Sequence, residues 1–324
     1  MGDPGGIGPE VIVRALSDPE LRAMACFRLY ASEDVLAAAS AAAGLPPVWR
    51  EGAGVELVPI EGGVTQARPT REGGAASLRA LDAAILAAKA PPGRPEAIDA
   101  IVTAPICKEA WTLAGETRFP GHTELLADRF GAKRVAMLFH APAGGGYAAF
   151  NVVLVTTHIP LSRVPEALTE KRVYEAITLG AEGVRRLGVA SPRVGVLGLN
   201  PHAGEHGLMG DEESRVIVPA IERARTAGID VSGPHSADTY FSRCTRGEVD
   251  LAVAMYHDQG LIPVKLLAWD RAVNVTLGLP IVRTSPDHGT AFDIAGSACA
   301  DAGSMKAALR LAATMASRAG RSDA

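Results

Sequence analysis

The chain has 324 residues, of which 48% are hydrophobic and 21% are charged, enough to bury a large core in two lobes. The net charge of −4 without a basic stripe argues against a nucleic-acid surface, and no apolar run approaches the ~20 residues of a membrane helix. Four scattered cysteines and an N-terminus unlike a signal peptide predict a cytoplasmic protein with reduced thiols.

Strand-like and helix-like segments alternate along almost the whole chain, which is the pattern of an α/β fold with a mostly parallel sheet. The predicted strands cover 27–31, 55–60, 98–103, 134–140, 147–156, 262–267, 273–277 and 281–284. The predicted helices cover 33–43, 75–90, 166–187, 212–226 and 305–319. Glycine-rich residues 141–146 separate two of the strand-like runs, so we expect an antiparallel hairpin inserted in the parallel sheet.

The first residues, Met1-Gly-Asp-Pro-Gly-Gly-Ile-Gly-Pro-Glu10, predict a glycine-rich turn that leads into a helix. Backbone amides in such a turn are able to approach a phosphate, but an ordinary turn explains the glycines at least as well. This kind of turn normally follows a strand, so we expect either a fold without that strand or a start codon further upstream. No G-x-G-x-x-G fingerprint follows a strand, so a nucleotide cofactor is not expected to bind in the usual Rossmann manner.

Three histidines, His158, His202 and His257, each stand at the end of an apolar, β-rich run. Ligands of open α/β sheets bind beyond the carboxyl ends of strands, so we expect these imidazoles to meet there. Three neutral imidazoles form a metal site with positions left open for water or substrate. The alternative is that three unrelated polar residues close three strands. Asp258 follows His257, where it is placed to orient that ligand, to bind the metal, or to act on a bound water.

Two further groups of polar residues indicate anion binding. Lys265, Asn274 and Arg283 lie on or beside consecutive apolar runs, and a bidentate Arg with a Lys point charge suits a phosphate. The alternative is three surface residues at a sheet edge. His122 and Thr123 stand where a helix is predicted to begin. One interpretation is an anion contact by these side chains, assisted by the helix-end amides, and the alternative is that Thr123 is only the N-cap.

The segment from Arg283 to Gly296 is conspicuous for its polar and turn-forming residues. We interpret it as a loop that holds a nucleotide with backbone groups, His288 and Asp293. Considered alone, without a related family, it is only a conspicuous loop.

Six of these motifs, taken in order, resemble the 4-hydroxythreonine-4-phosphate dehydrogenase family of vitamin B6 biosynthesis, which belongs to the isocitrate and isopropylmalate dehydrogenase-like group. The motifs are Gly2-Asp-Pro-Gly-Gly-Ile-Gly-Pro-Glu10, Gly121-His-Thr-Glu124, Thr157-His158, Asn200-Pro-His-Ala-Gly-Glu205, Tyr256-His-Asp-Gln-Gly260 and Arg283-Thr-Ser-Pro-Asp-His-Gly-Thr-Ala291. Each motif is weak alone, but the ordered set is specific and extends over essentially the whole chain.

The resemblance implies NAD-dependent, or alternatively NADP-dependent, oxidation of 4-phosphooxy-L-threonine, followed by decarboxylation to 3-amino-1-hydroxyacetone 1-phosphate. It implies one zinc, magnesium or cobalt ion per site, bound across a homodimer interface by His158, His202 and His257. The implied substrate contacts are His122, Thr123, Lys265, Asn274 and Arg283. The implied cofactor contacts are Asp287, His288, Gly289, Thr290 and Asp293. The general base stays open among Lys265, Asp258 and a metal-bound hydroxide.

The implied architecture is two α/β lobes: residues 1–121 with 275–324 on the cofactor side, and residues 122–274 for metal binding and dimerisation. One rival is a paralogue that oxidises 4-phospho-erythronate or 4-phospho-D-threonate. In such paralogues a histidine often follows the His-Asp-Gln-Gly run, where this chain has Leu261, which favours the B6 enzyme. A more distant rival is an NAD-independent metal hydrolase or lyase.

Overall fold

The chain divides into two compact units. The computed structural model describes residues 1–52, 54–62 and 66–322. The first unit contains Met1–Ala132 and Leu279–Ser317, and the second contains Lys133–Gly278 and the chain from Arg318 onward. The sequence predicted lobe borders at 121/122 and 274/275, whereas the units of the structure meet at 132/133 and 278/279. The helix that begins at His122 therefore lies in the first unit. The last two residues of the expected 275–324 segment lie outside the described residues.

Strands and helices alternate along the chain, which confirms the predicted α/β class. The strands are β1 (Phe27–Ala31), β2 (Val55–Pro59), β3 (Ala100–Val102), β4 (Ala136–Ala141), β5 (Phe150–Leu154), β6 (Val194–Leu197), β7 (Val231–His235), β8 (Leu251–Ala254), β9 (Val273–Leu277) and β10 (Val282–Pro286). The α-helices are α1 (Gly8–Leu16), α2 (Pro19–Arg22), α3 (Glu33–Ala42), α4 (Arg71–Ala88), α5 (Lys108–Leu113), α6 (His122–Phe130), α7 (Val164–Ala167), α8 (Glu170–Arg186), α9 (Val218–Thr226), α10 (Ala237–Thr245), α11 (His257–Ala268) and α12 (Gly303–Ser322). Among the described residues, no helix has the length and hydrophobicity needed to cross a lipid bilayer.

The first unit is organised around parallel strand pairs and an apolar N-terminal helix. Strand β1 pairs in parallel with β2, and β10 pairs in parallel with β3. Helix α1 follows the glycine-rich turn as predicted, with a proline in its first turn. Its side chains Val11, Ala15 and Leu16 are buried at helical spacing and form part of the unit's apolar core. The packing of α1 in the core therefore holds the glycine-rich turn that precedes it in place.

A close approach of two helices positions a tryptophan of the first unit. An added Cβ at Gly74 of α4 would lie 1.9 Å from the carbonyl oxygen of Ala110 in α5, so only glycine fits there. The adjacent Trp111 is buried, and its indole nitrogen donates to the hydroxyl of Ser77 at 2.9 Å. Both halves of the indole, the apolar ring and the polar N–H, are thus satisfied in the core.

The second unit is built on a mostly parallel sheet with one reversed strand. The strands lie in the order β9-β4-β5-β8-β6-β7. Strand β4 is antiparallel to both β5 and β9, whereas β5, β8, β6 and β7 pair in parallel. The hairpin that inserts one antiparallel strand is therefore confirmed. Glycines at 180 and 183 bring α8 close to the sheet, since an added Cβ at either would lie 2.6 Å from a leucine side chain.

The strand predicted for 262–267 is wrong, because these residues belong to helix α11. The alternation of apolar residues in this stretch suggested a period of two. The buried residues Gly260, Leu261, Val264 and Ala268 instead follow the spacing of one helix face. Pro263, which usually interrupts helices, is accommodated within α11. Lys265 therefore projects from a helix rather than from a strand.

Replacement of Gly74 by alanine should destabilise the first unit by about 1–3 kcal/mol, because the new methyl group overlaps the backbone of α5. Chemical denaturation of Gly74→Ala and of the wild type measures this difference. Gly289→Ala is the matched control, since its added methyl meets no atom within 4 Å. Equal losses of stability in the two variants would contradict the close packing of α4 against α5.

Candidate active site

Two of the three sequence-predicted metal ligands lie side by side in the second unit. His158 follows the end of β5, and His257 begins α11 just after β8. Their ring centroids are 5.3 Å apart. The neighbouring strand ends are tied together, because the Thr156 hydroxyl donates to the carbonyl of Met255 at 2.7 Å. Parallel pairing of β5 with β8 therefore brings this pair of imidazoles together.

Asp258 contacts one of these imidazoles. Its carboxylate oxygen Oδ1 lies 2.7 Å from Nδ1 of His257. A carboxylate accepts the Nδ1 proton, which leaves the lone pair of Nε2 available for another ligand. Of the three roles considered for Asp258 from the sequence, orientation of His257 is the one that this contact supports.

His202 lies on a separate, unusual turn after β6. Residues His202 to His206 all have positive φ values, between 40° and 78°. For non-glycine residues this left-handed conformation costs roughly 1–2 kcal/mol each, so the surrounding structure has to hold it. His202 lies near Asp238, whose pKa is lowered mainly by the hydrogen bond from Ser236 and further by His202. Within the described part of the chain, no group of three or more His, Cys, Asp or Glu side chains is arranged to hold a metal ion.

Two residues that the sequence analysis missed support these strand ends. The amide of Gln259 accepts from Met255 N and donates to the carbonyl of Gly198, both at 2.7 Å, so it links the ends of β8 and β6. The buried carboxylate of Glu213 accepts from the backbone amides of Leu199 and Asn200. A signal for Glu213 was present in the sequence, because it shares a helical face with apolar residues three, four and seven positions later.

Lys265 and Asn274 belong to the same unit as the histidine pair. The Lys265 ammonium lies 5.5 Å from the ring centroid of Trp269, the residue that follows the end of α11. Asn274 lies on β9 opposite Phe139, and its Oδ1 is buried without a hydrogen-bond donor among the described residues. A buried acceptor of this kind is available to a bound molecule that carries an N–H or O–H group.

Arg283 is a buried cation of the first unit. It lies in β10, is 3% exposed, and donates from Nη2 to the Thr103 hydroxyl at 2.7 Å. Burial lowers the pKa of its guanidinium to about 10, while the Glu124 carboxylate opposes this shift. The side chain therefore keeps its charge at neutral pH. Thr103, which the sequence analysis did not single out, ends a strand just as the histidines do.

His122 begins helix α6, as predicted, and lies close to Arg283. Its ring contacts Trp111 edge to face, with centroids 5.5 Å apart. Burial lowers the pKa of His122 well below its usual value, and the positive charge of Arg283 lowers it further. The imidazole is therefore neutral at pH 7. Gly121, and not Thr123, occupies the N-cap position, so the simple capping role considered for Thr123 is wrong.

The predicted nucleotide loop packs against the glycine-rich start within the first unit. The amide of Ile7 donates to the carbonyl of Thr290 at 2.9 Å, and a Cβ at Gly6 would lie 2.8 Å from that same oxygen. The amide of Asp287 donates to the Ser304 hydroxyl at 3.1 Å. The Nε2 atom of His288 is buried without a hydrogen-bond partner among the described residues. The loop is thus held by its backbone, while His288 retains a free ring nitrogen.

The fold and these strand-end side chains are those of an α/β dehydrogenase, and comparison with known proteins supports this class. The chain belongs to the family described as "Pyridoxal phosphate biosynthetic protein PdxA", whose sequence model matches residues 18–312. This confirms the resemblance found in the sequence and replaces the alternative of an NAD-independent hydrolase or lyase.

The relatives are similar over nearly their full lengths. The 4-hydroxythreonine-4-phosphate dehydrogenase of Geobacter metallireducens is 45% identical, with 98% of this chain and 94% of the relative covered. The D-threonate 4-phosphate dehydrogenase of Cupriavidus necator is 43% identical, with 98% and 96% covered. The crystal structure of a 4-hydroxythreonine-4-phosphate dehydrogenase from Klebsiella pneumoniae has a TM-score of 0.82 and 37% identity, with 98% of both chains covered.

The neutral state of His122 predicts a specific loss of stability in acid. Because its folded-state pKa is depressed, the unfolded chain binds a proton below about pH 6.5 that the folded chain does not bind. The free energy of unfolding should therefore fall as the pH drops below 6.5, by up to about 1.4 kcal/mol per pH unit from this residue. His122→Asn should have a flatter profile between pH 7 and pH 5 in denaturation experiments.

Thr123→Val is the matched control, because it changes the adjacent residue without removing a titrating group. It should keep the pH dependence of the wild type. Parallel profiles for His122→Asn and the wild type would show that His122 titrates normally in the folded protein.

Proposed function

We propose that this chain is the NAD-dependent dehydrogenase that oxidises 4-phosphooxy-L-threonine at its secondary alcohol. The β-keto acid then loses carbon dioxide to give 3-amino-1-hydroxyacetone 1-phosphate, in the pathway to pyridoxal phosphate. The single observation that carries the proposal is the adjacent pair His158 and His257, with the Asp258 carboxylate behind His257, in a chain of this family. NADP is the alternative cofactor.

The residues present fit a divalent metal. An imidazole whose Nδ1 atom is held by a carboxylate presents Nε2 to a metal, and this is the arrangement of His257 and Asp258. Imidazole ligands favour zinc or cobalt over magnesium, which prefers oxygen ligands. When bound, such an ion supplies the Lewis acidity that lowers the pKa of the substrate alcohol and stabilises negative charge on its oxygen.

The chain's own residues would bind the substrate and move its proton. The proposed substrate contacts differ in chemistry: Arg283 supplies a guanidinium that is charged at neutral pH, Asn274 a buried amide oxygen and Lys265 an amine. His122 is neutral, so it contributes a hydrogen bond rather than a charge, and Thr123 adds a hydroxyl. Asp258 is engaged with His257, which favours Lys265 over Asp258 as the group that accepts the alcohol proton, a role that requires the neutral amine of Lys265 and not its ammonium form.

The loop from Asp287 to Asp293 is the proposed binding segment for the cofactor. Asp287, His288, Gly289, Thr290 and Asp293 lie together on it, and the backbone of the glycine-rich start supports it. The buried ring nitrogen of His288 is available for a polar group of the nucleotide. We also propose a cytoplasmic location, as predicted from the four scattered cysteines of the sequence.

A second copy of the chain is the proposed source of the third imidazole. Among the residues that the structure describes, His158 pairs with His257 but no third side chain completes a metal-binding group, so we propose that His202 reaches the pair from a partner. The same helix that carries His257 exposes a hydrophobic stripe formed by Ile262, Leu266 and Trp269, which are 65%, 81% and 77% exposed. Large apolar side chains at this spacing are typical of a helix face that packs against another chain.

The second candidate substrate is a phosphorylated sugar acid such as 4-phospho-D-threonate or 4-phospho-erythronate. It is favoured by the relative named D-threonate 4-phosphate dehydrogenase, which covers almost the whole chain. Leu261, where such paralogues often have histidine, is 3% exposed and packs into the core of the second unit, so it offers no polar group to a substrate.

The purified protein should form NADH from 4-phosphooxy-L-threonine, lose this activity after chelation, and regain it when zinc or cobalt is restored. His158→Ala and His257→Ala should each lower kcat/KM by roughly a hundredfold or more, since each removes a ligand. His206→Asn is the matched control, because this exposed histidine is not a proposed ligand. Faster turnover of 4-phospho-D-threonate or 4-phospho-erythronate would assign the chain to the paralogues instead.

Mixing His202→Ala chains with His257→Ala chains should restore activity if His202 acts in the partner's site. In such a heterodimer, one site receives an intact pair from one chain and an intact His202 from the other. Random exchange makes half of the dimers mixed, each with one complete site, so about a quarter of the wild-type activity is expected. An inactive mixture of exchanged dimers would show that the three histidines act within one chain.

Introduction of Leu266→Asp into both chains should abolish this rescue by disrupting the apolar stripe. Leu86→Asp is the control, because Leu86 is also exposed but lies on α4 of the first unit. Size-exclusion chromatography with light scattering measures the oligomeric state of each variant.

A further inference from the structure

We propose that Glu213 is a positioning residue, which holds the left-handed turn at 202–206 and thereby fixes the imidazole of His202. The proposal deepens the proposed function and rests on it, because His202 is a proposed metal ligand. Glu213 itself contacts neither the substrate nor the metal; it acts through the backbone on which His202 is carried.

Glu213 holds the entrance of the turn through several hydrogen bonds. Its Oε1 accepts from the backbone amides of Leu199 and Asn200 at 2.8 and 2.7 Å, and its Oε2 accepts from the Asn200 side chain at 2.9 Å. Two successive backbone amides thus converge on one carboxylate oxygen. Hydrogen bonds to a charged acceptor are about twice as strong as neutral ones. The Glu213 residue is only 5% exposed, so water does not compete well for these donors.

The same carboxylate also lies against the middle of the turn. A Cβ added at Gly204 would be 2.6 Å from Oε2 of Glu213, and one added at Gly198 would be 3.1 Å from Oε1. The backbone therefore wraps around the carboxylate on both sides of His202. A run of left-handed residues is unfavourable by itself, so it requires an anchor that determines its path. Glu213 occupies the position of such an anchor.

Glu213 is mounted on a rigid element. It begins a single π-helical turn, Glu213–Ile217, that continues directly into α9. Val216 and Ile217 in this turn are buried, and Ala220 and Ile221 continue the buried face. The position of the carboxylate is therefore set by the core of the second unit. Short π-helical segments occur frequently at functional sites, where the extra residue redirects a side chain.

The test measures the order of the turn and the metal affinity separately. The amides of Ala203, Leu208 and Met209 donate to the carbonyls of Asn200, Glu205 and Gly204, and not to Glu213, so hydrogen exchange is measured on the protein without added metal. In Glu213→Gln these amides should lose protection in hydrogen-exchange mass spectrometry. Zinc affinity, measured by competition with a chromogenic chelator, should fall about 10–100-fold, as for other residues that orient metal ligands. The cobalt absorption spectrum should change as well.

Glu222→Gln is the matched control. Glu222 lies on the same helix and its replacement removes the same charge, but it bonds to Arg225 and not to the turn. This variant should keep the wild-type exchange pattern and zinc affinity. If Glu213→Gln fails to fold, Glu213→Asp retains the charge on a shorter side chain and should show the same two effects in a folded protein.

The outcomes separate the two proposals. Unchanged protection of the turn in folded Glu213 variants overturns the positioning role, whether or not metal binds. Unchanged zinc affinity in a variant whose turn is disordered also overturns the positioning role. A variant that differs from the wild type only in a lower melting temperature does the same, and in both cases Glu213 is a structural support. A wild-type protein that binds neither zinc nor cobalt contradicts the proposed metal site, while the loss of protection in Glu213→Gln would still establish that Glu213 holds the turn.

Discussion

The parallel pairing of β5, β8 and β6 is the constraint on which the second unit and its histidine pair depend. Parallel strands send their carboxyl ends to the same edge, so polar residues that are distant in sequence come together there. Two side chains reinforce this edge with three hydrogen bonds: the Thr156 hydroxyl bonds to Met255, and the Gln259 amide bonds to both Met255 and Gly198. The reversed strand β4 lies on the far side of β5 from β8 and leaves this edge intact.

The buried polar groups of the interior are each matched to their neighbours. Arg283 keeps its charge although burial lowers its pKa, and the Thr103 hydroxyl accepts a hydrogen bond from its guanidinium. His122 avoids a second buried positive charge by being neutral. Glu213 is surrounded by N–H donors. Groups held in this manner need little rearrangement when a ligand arrives, which is a requirement of precise binding sites.

Much of this arrangement could be predicted because it depends on local pattern. Apolar runs that end in histidine identified His158 and His257, and the Gly-His-Thr-Glu segment located the start of α6. Periodicity failed at 262–267, where a proline and alternating apolar residues imitate a strand although the buried positions follow a helix. The left-handed turn could not be predicted either. Its conformation depends on a carboxylate beyond the turn, and only one of its five positive-φ residues is glycine.

The pairing of β5 with β8 also determines when the histidine pair forms during folding. Thr156 and Met255, which are bonded at the base of the pair, are 99 residues apart in sequence. The β4–β5 hairpin closes a short loop, whereas the β5–β8 contact closes a long one and so forms more slowly. During synthesis, His158 emerges long before His257, and the two rings meet only after β8 has left the ribosome and joined the sheet. The nascent chain therefore lacks the assembled pair until β8 has joined the sheet, and an unassembled pair is not a preformed site for a metal ion.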